Sequence, residues 1–439
     1  MVLKRAVALV TTALALLAVD GSAARADGAP AGTDLQVAQS LGARQLTVVL
    51  RRVDSVPGPL RVDVVTHAGS PPGDLRLRLS PDTTGEVTVR LGTAPGSFGG
   101  TLRVLRSGPQ ELVLDDGSTV ASIPFVVPVG ALSTAERLTY QGFAGAGLLL
   151  AVALGTAVFA RRGWVALVPS AGFVAALAVA VTAATLSKPV PAPAEASGPA
   201  VTMLVRAHPA ADGSVGLALS FLDSGSGRPV DDLVVRDSAF VHLLVVGPGR
   251  VLDHLHPVRV APGEYRVRLP AAKAGHYAAA AELTRRGGGA QLLRSPIGFD
   301  VAGAAVRPAA LRDDGGGRIR VSGGRAGEPT TVVATFGERA DLQLWLGMAG
   351  HLIAIGPLPP GTSAADAERA PVWAHVHAMP AGRSAAGVEQ PDETVAAYGP
   401  EVSFTHSFPI PGRYQVWVQA QRGFTLLTVP FTLDITAGR

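Results

Sequence analysis

"FVHLLVVGPGRVLDHLHP", residues 240–257, decides how the C-terminal half of this chain folds. Two largely apolar runs flank a turn that contains proline and glycine, a pattern that predicts two antiparallel strands joined by a short loop. His242 lies in the first run, and His254 and His256 follow the turn. Because residues two apart in a strand point to the same face, the second strand presents two imidazoles side by side.

The length of the loop decides whether His242 joins the other two histidines. A four-residue loop from Gly247 to Arg250 would place His242 on the opposite face of the sheet, whereas a loop of three or five residues would place it opposite His254 or His256. Glycine-containing loops of three to five residues commonly include a bulge. We therefore predict the converging register, with β-carbons about 5 Å apart across the strand pair.

A second copy of the pattern lies further along the chain. "GMAGHLIAIGP", residues 347–357, supplies His351, and "PVWAHVHAMP", residues 371–380, supplies His375 and His377. The separation from His351 to His375 is even, so the same rule of loop parity predicts convergence here despite a longer insertion. Six of the ten histidines thus belong to two copies of one pattern.

Both copies resemble secreted bacterial β-sandwich domains that are associated with copper and heavy-metal handling. These domains are marked by His-Leu-hydrophobic-Val, then His-hydrophobic-His-Pro, then a closing strand with Pro-Gly-x-Tyr, which reads "AGHY" in the first copy and "PGRY" in the second. The resemblance covers residues 201–439 and implies two tandem Ig-like or cupredoxin-like β-sandwiches, at 201–303 and 304–439. The second copy departs from the motif by reading "HAMP" in place of His-Pro.

The chain contains no cysteine, which leaves histidine, carboxylate and methionine as possible metal ligands. Three neutral imidazoles suit Cu(II) or Zn(II), and an added thioether favours Cu(I). Because Met348 and Met379 lie close in sequence to the second copy, we predict copper, with zinc as the alternative. The predicted ligands are His242, His254, His256, His351, His375, His377 and Met348. The competing interpretation is that these histidines fill a half-buried sheet face and bind no metal.

The sequence of the N-terminal half predicts that the protein is exported from the cytoplasm and anchored in a membrane. Residues 1–26 have the basic start, apolar segment and Ala-x-Ala site of a secretory signal peptide, the alternative being an uncleaved anchor. Two uncharged stretches, 138–160 and 163–187, flank Arg161 and Arg162, and each is long enough to cross a bilayer. This predicts a transmembrane hairpin over 138–187 with a cytoplasmic turn and both large flanking regions outside. A buried soluble hairpin is the alternative.

The other segments add no chemistry of their own. Residues 27–130 alternate in period two between Pro- and Gly-rich turns, which predicts a third β-sandwich, and its histidine, His67, is predicted to be structural. Residues 188–200 form a Pro- and Ala-rich linker. The overall fold class is therefore mainly β, with three sandwiches and a two-helix transmembrane hairpin.

Function follows from these parts and from what the chain lacks. The sequence contains no nucleophile-elbow, zinc-protease or phosphate-loop motif, so we expect no enzyme. Its net charge of +4 comes mainly from arginines spaced singly along strands, so we expect no nucleic-acid partner. We predict a two-pass protein of the cell membrane that binds metal outside the cytoplasm and buffers it or delivers it to a membrane transporter or envelope protein. The alternative is an envelope interaction or sensor protein with structural histidines and no metal.

Overall fold

A computed structural model describes residues 34–51, 53, 56–81, 85–127, 134–159, 163–186, 200–210, 214–249, 251–269, 273–302, 317–359, 367–378 and 393–438. The predicted signal peptide, the arginine turn at 161–162, nearly all of the linker and Met379 lie outside these residues. The chain is mainly β with two apolar helices, which confirms the coarse prediction of fold class.

The segment before the helices, here called the N-terminal unit, forms two four-stranded antiparallel sheets. Its strands are β1 (Leu35–Leu41), β2 (Arg44–Leu50), β3 (Gly58–Thr66), β4 (Gly73–Ser80), β5 (Glu86–Leu91), β6 (Gly96–Val104), β7 (Gly108–Asp115) and β8 (Val120–Val127). The sheet orders are β1-β2-β3-β6 and β5-β4-β7-β8. Alternate leucines and valines of both sheets are buried in one apolar core, as the period-two pattern requires.

Two apolar helices follow, α1 (Thr134–Phe159) and α2 (Leu167–Leu186), joined in part by a 3₁₀ turn at Gly163–Ala166. They pack closely where Gly142 meets Ala180, since a β-carbon on Gly142 would lie 2.8 Å from that of Ala180. Stretches of 23 and 22 residues in these helices are apolar enough to cross a membrane, and little of their surface is covered by the rest of the protein. Both properties suit a hairpin that crosses a bilayer.

The segment after the helices, the middle unit, contains two further antiparallel sheets. Its strands are β9 (Val201–Pro209), β10 (Val215–Asp223), β11 (Val241–Gly247), β12 (Val251–Leu255), β13 (Val258–Ala261), β14 (Glu264–Leu269), β15 (Gly275–Thr284), β16 (Ala290–Arg294) and β17 (Phe299–Val301). One sheet has the order β13-β14-β10-β9, and the other has β12-β11-β15-β16 with β17 also paired to β15.

The last segment, the C-terminal unit, repeats the central part of this arrangement. Its strands are β18 (Arg318–Ser322), β19 (Pro329–Thr335), β20 (Leu342–Gln343), β21 (Gly350–Gly356), β22 (Val372–Ala378), β23 (Ala396–Tyr398), β24 (Glu401–Ser407), β25 (Gly412–Arg422) and β26 (Thr425–Ile435). The order β22-β21-β25 matches β12-β11-β15 of the middle unit, and all these pairs are antiparallel.

The sheets that carry the histidines are buried on both faces. Leu243 and Val245 of β11 belong to the core inside the middle unit, whereas Leu244 and Val246 pack against the C-terminal unit, where they meet residues such as Ile353. A strand that is buried on both faces has an almost continuously apolar sequence, which explains why apolar and polar residues do not alternate along β11. The two histidine-bearing sheets therefore face each other.

The N-terminal unit packs against the other two units. The Ser40 backbone N–H donates to the His256 carbonyl at 2.8 Å, and the Ala38 N–H donates to the Ser238 carbonyl at 2.7 Å. Arg259 of the middle unit is buried and reaches Glu111 at 3.2 Å across this contact. The end of β1 is thereby held against the strand end that carries His256.

Candidate metal centre

The register of both histidine hairpins is the converging one predicted from loop parity. In the middle unit Gly247 pairs with Val251 across a three-residue loop, and Leu243 pairs with Leu255, so that His242 and His256 lie at the next position of the ladder. In the C-terminal unit His351 pairs directly with His377. Within each group of three, one nitrogen from every ring lies within 4.8 Å of the others.

A glycine and a tyrosine fix this register in both units. A β-carbon on Gly247 would lie 2.1 Å from the Tyr277 ring, and one on Gly356 would lie 2.7 Å from the Tyr414 ring. Each tyrosine hydroxyl donates to the carbonyl four residues earlier, at 2.9 Å and 2.7 Å. The strand-ending glycine therefore leaves space for the tyrosine of the "GHY" or "GRY" motif, and the two together hold the histidine strand against its neighbour.

The two groups of histidines form one cluster, which the sequence reasoning did not foresee. The ring centroid of His254 lies 4.9 Å from that of His375 and 5.4 Å from that of His351, and the centroids of His242 and His375 are 5.3 Å apart. These distances match those within a single group, such as 5.3 Å between His242 and His256. We call this set of six the histidine cluster, with a middle-unit triad (His242, His254, His256) and a C-terminal triad (His351, His375, His377).

Four histidines of the cluster direct one ring nitrogen to an oxygen outside it. His242 Nε2 donates to the Arg236 carbonyl at 3.2 Å, His254 Nδ1 to Gln419 Oε1 at 3.0 Å, and His375 Nδ1 to Glu282 Oε2 at 2.8 Å. His377 Nδ1 lies 3.4 Å from Asp237 Oδ2. Since carbonyl, amide and carboxylate oxygens accept, the proton of each neutral ring is fixed on the outer nitrogen.

The inner nitrogens carry lone pairs and have few partners. His242 Nδ1 and His254 Nε2 face each other at 3.2 Å, and when the outer nitrogens of both neutral rings hold their protons, these two inner nitrogens are unprotonated. The inner Nε2 atoms of His256, His375 and His377 are buried without a hydrogen-bond partner, and both nitrogens of His351 are in the same state. Buried polar atoms of this kind are rare unless a water molecule or a ligand satisfies them.

Three of the four outer oxygens, those of Glu282, Gln419 and Asp237, come from the unit opposite to the histidine that they hold. Glu282 is paired with His242 on β15 but bonds to His375, and Gln419 is paired with His351 on β25 but bonds to His254. The two residues therefore occupy equivalent strand positions and reach across in opposite directions. Among the described residues, two carboxylates, Glu282 and Asp237, contact the C-terminal triad, and none contacts the middle-unit triad.

Burial favours the neutral form of five of the six imidazoles. It lowers the pKa of His242, and it lowers the pKa values of His254, His256, His351 and His375 well below the usual range, with repulsion between neighbouring imidazoles adding to the effect. Neutral imidazole is the form that binds a metal.

A tryptophan closes one side of the cluster. The Trp345 ring makes edge contacts with His254 and His351 at 4.9 Å and with His256 at 5.7 Å. Trp345 opens a tight turn that ends at Met348, and the two backbones are hydrogen bonded in both directions at 3.0 Å. Met348 is buried in this turn, and its thioether remains a predicted ligand.

Two further titratable residues lie beside the cluster, and no sequence pattern points to either. His67 of the N-terminal unit, interpreted above as a structural residue, is buried and lines a cavity of about 360 Å³ together with His254 and His256. Glu393 is buried nearby, and burial raises its pKa to about 7. Neither residue belongs to a repeated pattern, and their proximity to the cluster arises from packing between units.

The remaining histidines take no part in the cluster. His276 lies between Asp300 at 2.8 Å and Glu368 of the C-terminal unit, and the hydrogen bond to Glu368 is the main cause of its raised pKa. His406 packs on Phe408 with ring centroids 4.8 Å apart. His208 lies on β9, away from the histidine strands.

Comparison with known proteins does not identify the chain. A family profile described as "Domain of unknown function (DUF8832)" matches residues 316–437, which is the C-terminal unit. No curated protein matches. Among solved structures, the bacterial integrin-binding protein invasin is 11% identical, with 92% of this chain and 60% of that one covered and a TM-score of 0.17. The FN1–FN3 domains of chicken CNTN1 are 8% identical, with 90% and 99% covered and a TM-score of 0.15. TM-scores this low carry no argument about this chain.

Proposed function

We propose that this protein is a membrane-anchored, extracytoplasmic metal-binding protein that holds copper or a similar divalent ion in the histidine cluster. The observation that carries the proposal is the pair of lone-pair nitrogens, His242 Nδ1 and His254 Nε2, which face each other at 3.2 Å. Two such lone pairs repel each other unless a proton or a metal ion lies between them. Tetrahedral ligands at 2.0–2.1 Å from a metal are themselves about 3.3 Å apart, so this spacing suits two ligands of one ion.

The other inner nitrogens extend this argument to both triads. Each triad offers three inward nitrogens, and outer oxygens fix the tautomer of most of the rings, which is the usual arrangement around metal-bound histidine. An all-imidazole set suits Cu(II) or Zn(II). When bound, such an ion supplies positive charge that the Glu282 and Asp237 carboxylates offset. The protein's own residues hold the ligands in position and exclude water through the surrounding apolar interface.

Metal content of the intact protein tests this function. The full chain, solubilised in detergent, loaded with Cu(II) or Zn(II) and dialysed, is expected to retain about two ions per chain, one for each triad. Elemental analysis by mass spectrometry measures the ratio. Retention of no metal under either condition would contradict the proposal and would favour an interaction or sensor protein with structural histidines.

The same proposal includes a two-pass topology with both β regions outside the cytoplasm. Contacts between the N-terminal unit and His256 support it, because they require the segments before and after the helices to lie on the same side of the membrane. The paired arginines at 161–162 favour a cytoplasmic turn.

Protease accessibility on intact cells tests this topology. Epitope tags placed after Asp27 and at Arg439 are expected to be digested by added protease, while a tag inserted between Arg161 and Arg162 should stay intact until the cells are lysed. Protection of either outer tag, or digestion of the inner one before lysis, would overturn the assignment.

A further inference from the structure

The histidine cluster is enclosed on most of its sides by protein. Apolar residues of both units, including Leu244, Ile353 and Trp373, close one side, and Trp345 covers another. The cavity of about 360 Å³ meets the cluster at His254 and His256. An ion bound to the cluster needs a path through the protein, and this cavity leads to it.

The N-terminal unit forms one wall of the cavity. Thr47, His67 and Ala68 line it from that unit, while Gln419 and Gln421 line it from the C-terminal unit. His67 Nδ1 donates to Gln421 Oε1 at 3.0 Å, so Nε2, which lies 3.0 Å from the Thr47 hydroxyl oxygen, is the unprotonated nitrogen of the neutral ring. A hydroxyl can rotate away, which makes the Nε2 lone pair available to a cation.

A carboxylate oxygen lies beside that nitrogen. Glu393 Oε2 is buried and lies 3.9 Å from His67 Nε2, and the Thr47 hydroxyl and the Gly347 backbone N–H also donate to this carboxylate. The other oxygen, Oε1, accepts from Gln36 Nε2 and from the Leu346 backbone N–H, each at 2.6 Å, and these bonds hold the carboxylate in place. One imidazole nitrogen and one carboxylate oxygen at this spacing form a two-ligand set for Cu(II) or Zn(II).

We propose that His67 and Glu393 form an outer metal station on the access route to the histidine cluster, where an incoming divalent cation binds transiently before it passes to His256. This inference rests on the proposed metal-binding function. Two protein ligands hold an ion weakly, and the three imidazoles of the middle-unit triad hold it more strongly, so the ion moves inward. His256 Nε2, buried and without a partner, lines the same cavity as His67 and is the first inner acceptor.

Loading kinetics of the full chain in detergent test the station. Rapid mixing with Cu(II) is followed by quenching of tryptophan fluorescence, because Trp345 contacts three histidines of the cluster. His67→Gln and Glu393→Gln are each expected to slow loading about tenfold while leaving the final metal content unchanged. The double variant should be no slower than the slower single variant, because both residues act at one step. His406→Gln is the matched control, a partly buried histidine outside the route, and should load at the parental rate.

The outcomes separate this inference from the proposed function. A parent protein that binds no copper contradicts both. A parent that binds copper, with both variants folded by thermal denaturation and loading within twofold of the parental rate, overturns the outer station alone. Loss of final metal content in His67→Gln would also overturn it, because His67 would then belong to the centre itself.

Discussion

Replacing His254 and His256 together with alanine is expected to abolish metal binding at the middle-unit triad and to weaken binding at the C-terminal triad. The first effect follows from the loss of two of three ligands, and the affinity should fall by more than about 100-fold, beyond the usual effect of residues that only orient a ligand. The second follows from geometry, since the His254 ring contacts both His351 and His375. Calorimetric titration of the full chain measures the number of ions bound and their affinities.

The control for this variant has to account for burial. Both rings lie buried between two units, so their replacement by alanine leaves a cavity there. Leu252→Ala removes a side chain of similar size from the same face of the same strand, within the apolar part of the interface. It should lower the melting temperature while keeping both ions. Equal loss of metal in Leu252→Ala would show that interface packing, and not ligation, decides binding.

The sequence predicted the strands and the register of the site because both are local properties. The alternation of side chains along a strand, the glycine-containing turn and the parity of the loop length together specify that His242 converges with His256 and that His351 converges with His377. The structure has both of these pairs. The tight fit of Gly247 to Tyr277 is also local in origin, since both residues belong to neighbouring strands. Information within about forty residues was sufficient for each triad.

The joining of the two triads could not be predicted in this way. It depends on which face of each sheet packs against the other unit, and histidine is compatible with a solvated face as well as with a buried one. One signal was available in principle. The alternate positions Leu244 and Val246 on the histidine face are apolar, and their equivalents Ile353 and Ile355 are too, so each face had to be covered by something. His67 and Glu393 carried no such signal, since they reach the site through contacts between units that are far apart in sequence.

The last prediction concerns Glu282 and Gln419, which each form a hydrogen bond with a histidine of the opposite unit. Glu282→Gln is expected to lower the metal affinity of the C-terminal triad by about 10- to 100-fold, because a carboxylate that accepts a hydrogen bond from a metal-bound imidazole raises its basicity and fixes its orientation. The equivalent change in the other direction, Gln419→Glu, supplies His254 with the carboxylate that it lacks and should raise the affinity of the middle-unit triad.

Each effect should appear in the unit opposite to the substitution, which separates this mechanism from a local disturbance of a strand. Competition with a coloured chelator measures the metal affinity of each triad separately. The C-terminal triad is measured in the His254→Ala/His256→Ala variant, and the middle-unit triad is measured in the His375→Ala/His377→Ala variant. Glu282→Gln should then act in the first background and Gln419→Glu in the second. If Glu282→Gln left the affinity unchanged in the first background, the bond between Glu282 and His375 would be a packing contact, and the two units would hold their ions independently. If the affinity falls as expected, the facing sheets act as one centre, in which each unit positions a ligand of the other.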